Sequence, residues 1–313
     1  ISKLTTELRR VIVNLFLYGL VVLIWGTTWI AITAQANVVD PVVAVFWRFL
    51  IAASCLLVGL LLTGHLRRFA LRDHLFCVLQ GLCVFGLNFL CFYHAISYIN
   101  SGLESVIFSM AVLFNAINSR LFFGQKIVAQ FFPAVALGFL GMFLLFWQDL
   151  SSTHLQGTTL LGIGLCMLGT YGFSLGNMIS TRHQKRGLDV LSTNAYAMSY
   201  GTLWMGLFAA LTGMQFLPAV WNWQFSLAVG YLAIFGSVIG FSAYFILVGR
   251  IGAGQAAYST LLFPLVALSI STFWENYHWS ISAVLGVICI LLGNLIFFLA
   301  PKLKFFALKK AIS

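Results

Sequence analysis

Arg48, Glu104 and His94 are the residues of this chain best placed to do chemistry, because each is an ionisable group set in an apolar run. Such groups are costly inside a membrane helix, so they are paired, face a cavity, or belong to a substrate or proton path. An arginine there can meet the carboxylate of a substrate, and a glutamate can exchange a proton. A histidine titrates near neutral pH and can relay one. Structural uses compete with these. Arg48 and Glu104 can pair and tie two helices together, Arg48 can reach back to the surface, and His94 can serve an interhelical hydrogen bond.

A second tier is polar without charge. Asn88, Asn115, Asn118 and Asn177 lie deeper in apolar segments, where an amide either joins helices or lines a cavity. Asn115 and Asn118, three apart, share a helix face. Tyr258, Ser259 and Thr260 sit just before Pro264, which removes one backbone donor and frees the Thr260 carbonyl. A broken helix with free carbonyls is a recurring binding device in membranes; a plain kink is the alternative. Trp25, Trp29, Phe92, Phe108, Tyr171 and Tyr244 offer aromatic surface to an amphipathic ligand. Gly172 with Gly176, and Gly236 with Gly240, form G-x-x-x-G pairs that let helices approach closely.

These residues need elements to hold them. The chain is 61% hydrophobic and 8% charged, against about 25% charged in soluble domains. Its apolar runs of roughly twenty residues match helices crossing about 30 Å of hydrocarbon, and they lack the alternation of barrel strands. Ten spans are expected, at 13–33, 42–62, 75–97, 102–122, 128–147, 159–181, 192–213, 225–248, 254–274 and 280–299. Every lysine and arginine except Arg48 then falls at one face, from Lys3, Arg9 and Arg10 to the four lysines of the tail. The positive-inside rule puts that face and both termini in the cytoplasm.

In this topology Arg48 lies about 9 Å below the outer surface at 1.5 Å per residue, with Glu104 in the same layer. The net charge of +10 is therefore topogenic, and no nucleic-acid partner is expected. The basic stretch 302–310, which includes Phe305 and Phe306, suits the surface of anionic lipid. The six cysteines show neither C-x-x-C pairing nor metal-ligand spacing, so no disulfide framework, metal site or cofactor is expected.

The chain also echoes itself. Ile99 to Ile127 aligns with Ile251 to Trp279 at an offset of 152, matching Gly102 with Gly254, Leu113 with Leu265 and Ser119 with Ser271. Trp25-Gly26 is echoed by Tyr171-Gly172. With five spans per half the second half starts on the opposite side, so a duplicated unit gives inverted-topology repeats, 1–150 and 151–313, with a site between them. Trp25-Gly26, Arg48-Phe49, the stretch from Asn100 to Lys126, residues 228–245 and Trp274-Glu275 together resemble the drug/metabolite transporter superfamily, specifically its ten-helix EamA-type exporters. Gly124-Gln125 departs from the Gly-Glu that such proteins often carry after the fourth helix; the counterpart Glu275 is present. The resemblance implies secondary transport of small metabolites, most often export of amino acids or related compounds, coupled to protons.

The expectation is an all-α polytopic protein of the inner membrane, monomer or homodimer, whose partners are a small-molecule substrate, lipid and protons. Its candidate substrate-binding residues are Trp25, Arg48, Asn88, Phe108, Asn115, Tyr171, Tyr244, Tyr258 and Ser259, with Glu104 and His94 for proton coupling. Uptake by the same fold is the nearest alternative. A channel lacks a filter sequence here. An intramembrane enzyme lacks a nucleophile–base cluster or H-E-x-x-H.

Overall fold

A computed structural model of the chain describes residues 2–35, 38–127, 129–145, 147–148, 157–217, 223–276, 278–293 and 295–296. The stretch 302–310 lies outside them. The described elements are all helical: α1 Ser2–Thr33, α2 Pro41–Leu62, α3 Leu71–Ala95, α4 Ser101–Phe123, α5 Phe131–Leu145, α6 Gly157–Lys185, α7 Val190–Leu211, α8 Trp223–Ile251, α9 Ala253–Trp274 and α10 Ile281–Gly293.

Local chemistry sets the ends. Before α2 the Asp40 carboxylate accepts from the Val42 N–H at 2.8 Å, with Pro41 in the first turn where its missing donor costs nothing. Asn100 caps α4 through the Leu103 N–H at 2.9 Å, and Asp189 caps α7 through the Ser192 N–H at 2.7 Å. Gly124 ends α4 in the left-handed region, φ +64°, where a side chain would be strained.

Among the described residues, seven helices are long and apolar enough to cross a membrane: α1 from Leu8, α2, α3, α4, α6 from Thr158, α8 and α9. The expected spans 128–147 and 280–299 appear as the shorter apolar α5 and α10. The span expected at 192–213 is the 22-residue α7, which carries Ser192, Thr193, Asn194 and Ser199 in its first turns. The outer surface of the bundle is apolar, with Leu15, Phe16, Leu61, Leu203 and Leu211 among its exposed residues. Water expulsion cannot drive packing there, so close backbone approach and interhelical hydrogen bonds take its place. The chain is a multi-pass membrane protein.

Glycines make those approaches. Gly81 of α3 faces Gly201 of α7, and a Cβ at Gly81 would lie 2.4 Å from the Ala197 carbonyl oxygen. Gly141 of α5 and Gly286 of α10 face each other in the same way, each one's Cβ position within 2.6 Å of the other's carbonyl oxygen. The paired glycines expected to pack do so: Gly172 abuts the Cys83 carbonyl, Gly176 the Val84 side chain, and Gly240 the Trp25 indole.

The principal packed pairs are α2 with α7, α4 with α9, α1 with α8 and α9, α6 with α3 and α4, α2 with α8, and α7 with α3. Exchanging α1–α4 for α6–α9 turns this set into itself. Two irregularities recur half a chain apart. Eight-residue π-helical stretches interrupt α3 at Gly81–Asn88 and α8 at Leu232–Ile239. Tightened turns interrupt α4, where Ser109 and Met110 bond back to Val106 and Ile107, and α9, where Tyr258 and Thr260 bond back to Gln255 and Ala257.

The α9 break precedes Pro264 by more than one turn, and α4 breaks alike with Val112 and no proline. Hydroxyls supply a common cause: Ser109 donates to the Val106 carbonyl and Thr260 to the Ala257 carbonyl, each at 2.5 Å, bonds that compete with the regular ladder and bend helices.

At the end where α3 begins and α6 finishes, Asp73 meets Arg182 at 3.1 Å and Arg186 at 3.4 Å. The Arg182 guanidinium also lies 3.5 Å over the Phe76 ring. The pairs are half-buried, between exposed pairs worth about 0.2–1 kcal/mol and buried ones whose rupture costs about 3–5 kcal/mol. Asp73→Asn is expected to destabilise the protein by about 1–3 kcal/mol, read as an earlier thermal melt in detergent. An unchanged melt would assign no tie between α3 and α6 to this cluster.

Candidate functional site

The chemistry-bearing residues converge on a cavity lined by Trp25, Thr28, Trp29 and Ile32 of α1, Arg48 of α2, Asn88, Phe89 and Phe92 of α3, Phe108 of α4, Phe241 of α8 and Phe263 of α9. The α1 contribution falls at i, i+3, i+4 and i+7, one face of a helix. The cavity measures about 40 Å³, room for about three waters at 10–15 Å³ each. A metabolite fits only after aromatic side chains move.

Arg48 is 2% exposed. Its Nε donates to Ser237 Oγ at 2.9 Å, and its Cζ stands 4.2 Å from the Phe89 centroid and 5.3 Å from that of Phe49. Ser237 in turn donates to the Leu232 carbonyl five residues back, so the wide turn of α8 aims this acceptor. The same turn presents the Gly236 carbonyl to Trp25 Nε1 at 3.1 Å. The Tyr93 phenol lies beside the guanidinium, yet Nη1 has no hydrogen-bond partner, and neither does Trp29 Nε1. The ion pairs among the described residues are those of Asp73. Arg48 thus neither pairs with Glu104 nor reaches the surface, and both structural alternatives are corrected. It holds an unbalanced charge against a cavity.

Glu104 is fully buried and outside the lining, and neither carboxyl oxygen has a hydrogen-bond partner. Its electrostatic neighbours are Glu275 and, across on α6, Cys166. Glu275 is held by Ser101 at 2.7 Å and Ser271 at 2.5 Å, at the junction of α4 and α9. His94 is exposed at the end of α3 and lines a second, larger cavity with Ile32, Gln35, Tyr93 and Ser97. It sits at the end of the third helix, one residue before α3 ends at Ala95. Ile32 belongs to both cavities, and the buried Gln35 amide beside it has no partner.

Away from that vestibule the cavity is closed by rings. Trp25 packs on Phe241 and Tyr244, both at 4.9 Å between centroids, and on Phe173 at 5.9 Å. Beneath them Asn177 donates to Asn115 Oδ1 and to Tyr244 Oη, each at 3.1 Å. Asn118 donates to Ser174 at 2.9 Å. Asn115 and Tyr244 therefore brace the closed end, outside the lining where they were expected. Asn88 does line the cavity, its Nδ2 bound to the Gly169 carbonyl at 2.8 Å.

Three further candidates are displaced. Tyr171 is 39% exposed and packs on Phe114, so it faces the bundle's exterior although the sequence echo pairs it with Trp25. Tyr258 lines a different, apolar cavity with Met110, Val112, Phe139 and Ile290. The Ser259 hydroxyl is spent on the Ala256 carbonyl at 2.8 Å. Sequence reasoning missed Thr28, Phe89, Phe241, Phe263, Tyr93 and Ser237 as parts of the site. The first was legible from its spacing with Trp25, Trp29 and Ile32.

The arrangement is a small aromatic-walled cavity between α1–α4, α8 and α9, whose arginine has no counter-ion among the described residues. The sequence pattern of the EamA-like transporter family matches residues 13–147 and 160–299. The chain is 28% identical to protein PagO of Salmonella typhimurium, covering 91% of this chain and 92% of that one. It is 28% identical to the uncharacterized inner membrane transporter YedA of Escherichia coli strain K12, covering 80% and 79%. A solved crystal structure superposes with a TM-score of 0.69 at 16% identity, over 93% of this chain and 98% of that one, a likeness of fold. With a family pattern matched over 13–147 and 160–299 and an aromatic-walled cavity holding one buried arginine, the chain belongs to the EamA-like transporter family.

Proposed function

We propose that this membrane transporter is an inner-membrane exporter of a small amphipathic metabolite, working by alternating access between two inverted five-helix repeats and driven by proton antiport. The observation that carries it is the unbalanced Arg48 guanidinium facing a chamber built from α1–α4 together with α8 and α9. A buried charge with no protein counter-ion costs several kcal/mol, and a substrate anion would offset it at the moment of loading. The exchangeable set of packed pairs, the π-helical stretches in α3 and α8, and the twofold family match support the repeat reading. In a ten-span topology α5, α7 and α10 cross as well, and every cationic residue but Arg48 lies at the cytoplasmic face. Alternating access then means opening either the Ile32–Tyr93 side or the Trp25–Tyr244 side.

Glu104 is the proposed proton carrier, an enclosed carboxyl without a cation, next to a helix junction that the cycle must disturb. The test is flux in proteoliposomes under an imposed proton gradient. Glu104→Gln is expected to retain counterflow exchange while losing gradient-driven accumulation. Undiminished accumulation by the folded variant would remove Glu104 from coupling, and gradient-insensitive flux by the wild type would remove antiport.

A further inference from the structure

We propose that the chamber selects an organic monoanion: one carboxylate on a flat apolar body, carrying no ammonium group. This narrows the substrate class and rests on reading the Arg48 cavity as the substrate site. The two free donors define the polar pole. Arg48 and Trp29 both line the cavity, and Arg48 Nη1 and Trp29 Nε1 are buried without a hydrogen-bond partner, whereas the other indole, Trp25, is already bound to Gly236. A guanidinium and a neutral N–H together suit the two oxygens of a carboxylate.

The remaining wall is apolar and planar. Phe89, Phe92, Phe108, Phe241 and Phe263 close around the two indoles, and ring faces pack well on a flat body. No aspartate or glutamate lines the cavity. Glu104 is buried outside the lining, and Glu275 is taken up by two serines at the α4–α9 junction. An ammonium group entering beside the carboxylate would leave water without a counter-charge and share the chamber with Arg48. Aromatic faces return only part of what the desolvation of a cation costs. A zwitterionic amino acid is therefore a poorer ligand than the acid lacking its amine.

The test uses the full chain in detergent, titrated calorimetrically with 3-phenylpropionate, phenylalanine and phenethylamine, which share one phenyl body. The expected order is 3-phenylpropionate first, phenylalanine weaker by about tenfold or more, and no heat from phenethylamine. Trp29→Phe keeps the ring and removes the donor, and is expected to weaken 3-phenylpropionate by about two- to tenfold, the worth of one hydrogen bond. Arg48→Gln is expected to abolish its binding, with a matched melting profile showing that the variant is folded. The same probes are then followed by counterflow in proteoliposomes. Phenylalanine or phenethylamine binding as tightly as the acid overturns the inference, and if either also exchanges across the membrane the transport reading stands without it. Silence from all three probes in both assays overturns the inference together with the cavity as the site.

Discussion

Arg48→Met is expected to give a protein that melts at a higher temperature yet transports at about a thirtieth of the wild-type rate or less. Both halves of this result follow from the same unbalanced charge. Replacing a buried ionic group with an apolar side chain of similar length commonly stabilises by about 1–4 kcal/mol. Here the guanidinium is held by the Ser237 hydroxyl, two phenylalanine rings and the neighbouring Tyr93 phenol, with no carboxylate among the described residues to be orphaned by its removal. The rings already pack on an aliphatic stem and can accept the thioether. Transport moves the other way. Losing one side of a desolvated charge pair costs about 2–5 kcal/mol, and 2 kcal/mol is about thirtyfold at 1.4 kcal/mol per decade. The pair of measurements is thermal melting in detergent and counterflow in proteoliposomes. A variant that melts earlier would mean that Arg48 holds the fold together, and one that transports normally would mean that it faces no substrate.

Gly81→Ala is expected to be the most damaging single-methyl substitution in the bundle. The added Cβ would sit 2.4 Å from the Ala197 carbonyl oxygen and 2.8 Å from the Gly201 nitrogen. Both obstacles are backbone of α7, which cannot rotate aside. Relief requires α3 and α7 to separate, loosening the Gly201 contact with Phe85 as well. Overpacking usually costs about 1–3 kcal/mol and occasionally more, and here two helices must shift. Gly59→Ala in α2 is the control, since nothing lies within 4 Å of its Cβ position; it is expected to be neutral or to gain about 0.5–1 kcal/mol of helix propensity. Parallel melts of the two variants decide the matter: equal stabilities would mean that the α3–α7 approach carries no strain.

Much of the site could be read before the fold was known, and the failures have physical causes. Arg48 stands out because a cation in an apolar run is rare, and depth along the helix follows from counting residues. Azimuth does not. Counting residues puts Arg48 and Glu104 at one expected depth, but Arg48 looks toward α8 and Glu104 toward α6 and the α4–α9 junction. Trp25 and Tyr171 occupy matching positions in the sequence echo, yet one indole lies buried under Gly240 while the phenol faces outward with Phe114. An echo in sequence aligns two residues along their helices and leaves their partners free to differ. The role of α8 was the hardest to see. Ser237, Gly236 and Phe241 reach the site by way of a widened turn, and an apolar stretch such as LAIFGSVI carries no signal for one.

Those widened turns set the rotational phase of the helices that carry them. In α3 the residues before Gly81 include Asp73, bound to Arg182 and Arg186, while those after it bring Asn88, Phe89 and Phe92 to the cavity. A π-turn holds one more residue per loop than the α-helix around it, so it takes up an angular offset between two faces with different partners. Removing one residue from 81–88 would let the helix relax to regular geometry with its two faces kept nearly in phase, because the widened turn carries one residue more than the regular turn that replaces it. The same deletion in the regular turns before Gly81 would swing one face against the other by about 100°. A single-codon deletion in those regular turns would thus leave hydropathy and charge map almost untouched while turning the aromatic wall of the chamber away from Arg48.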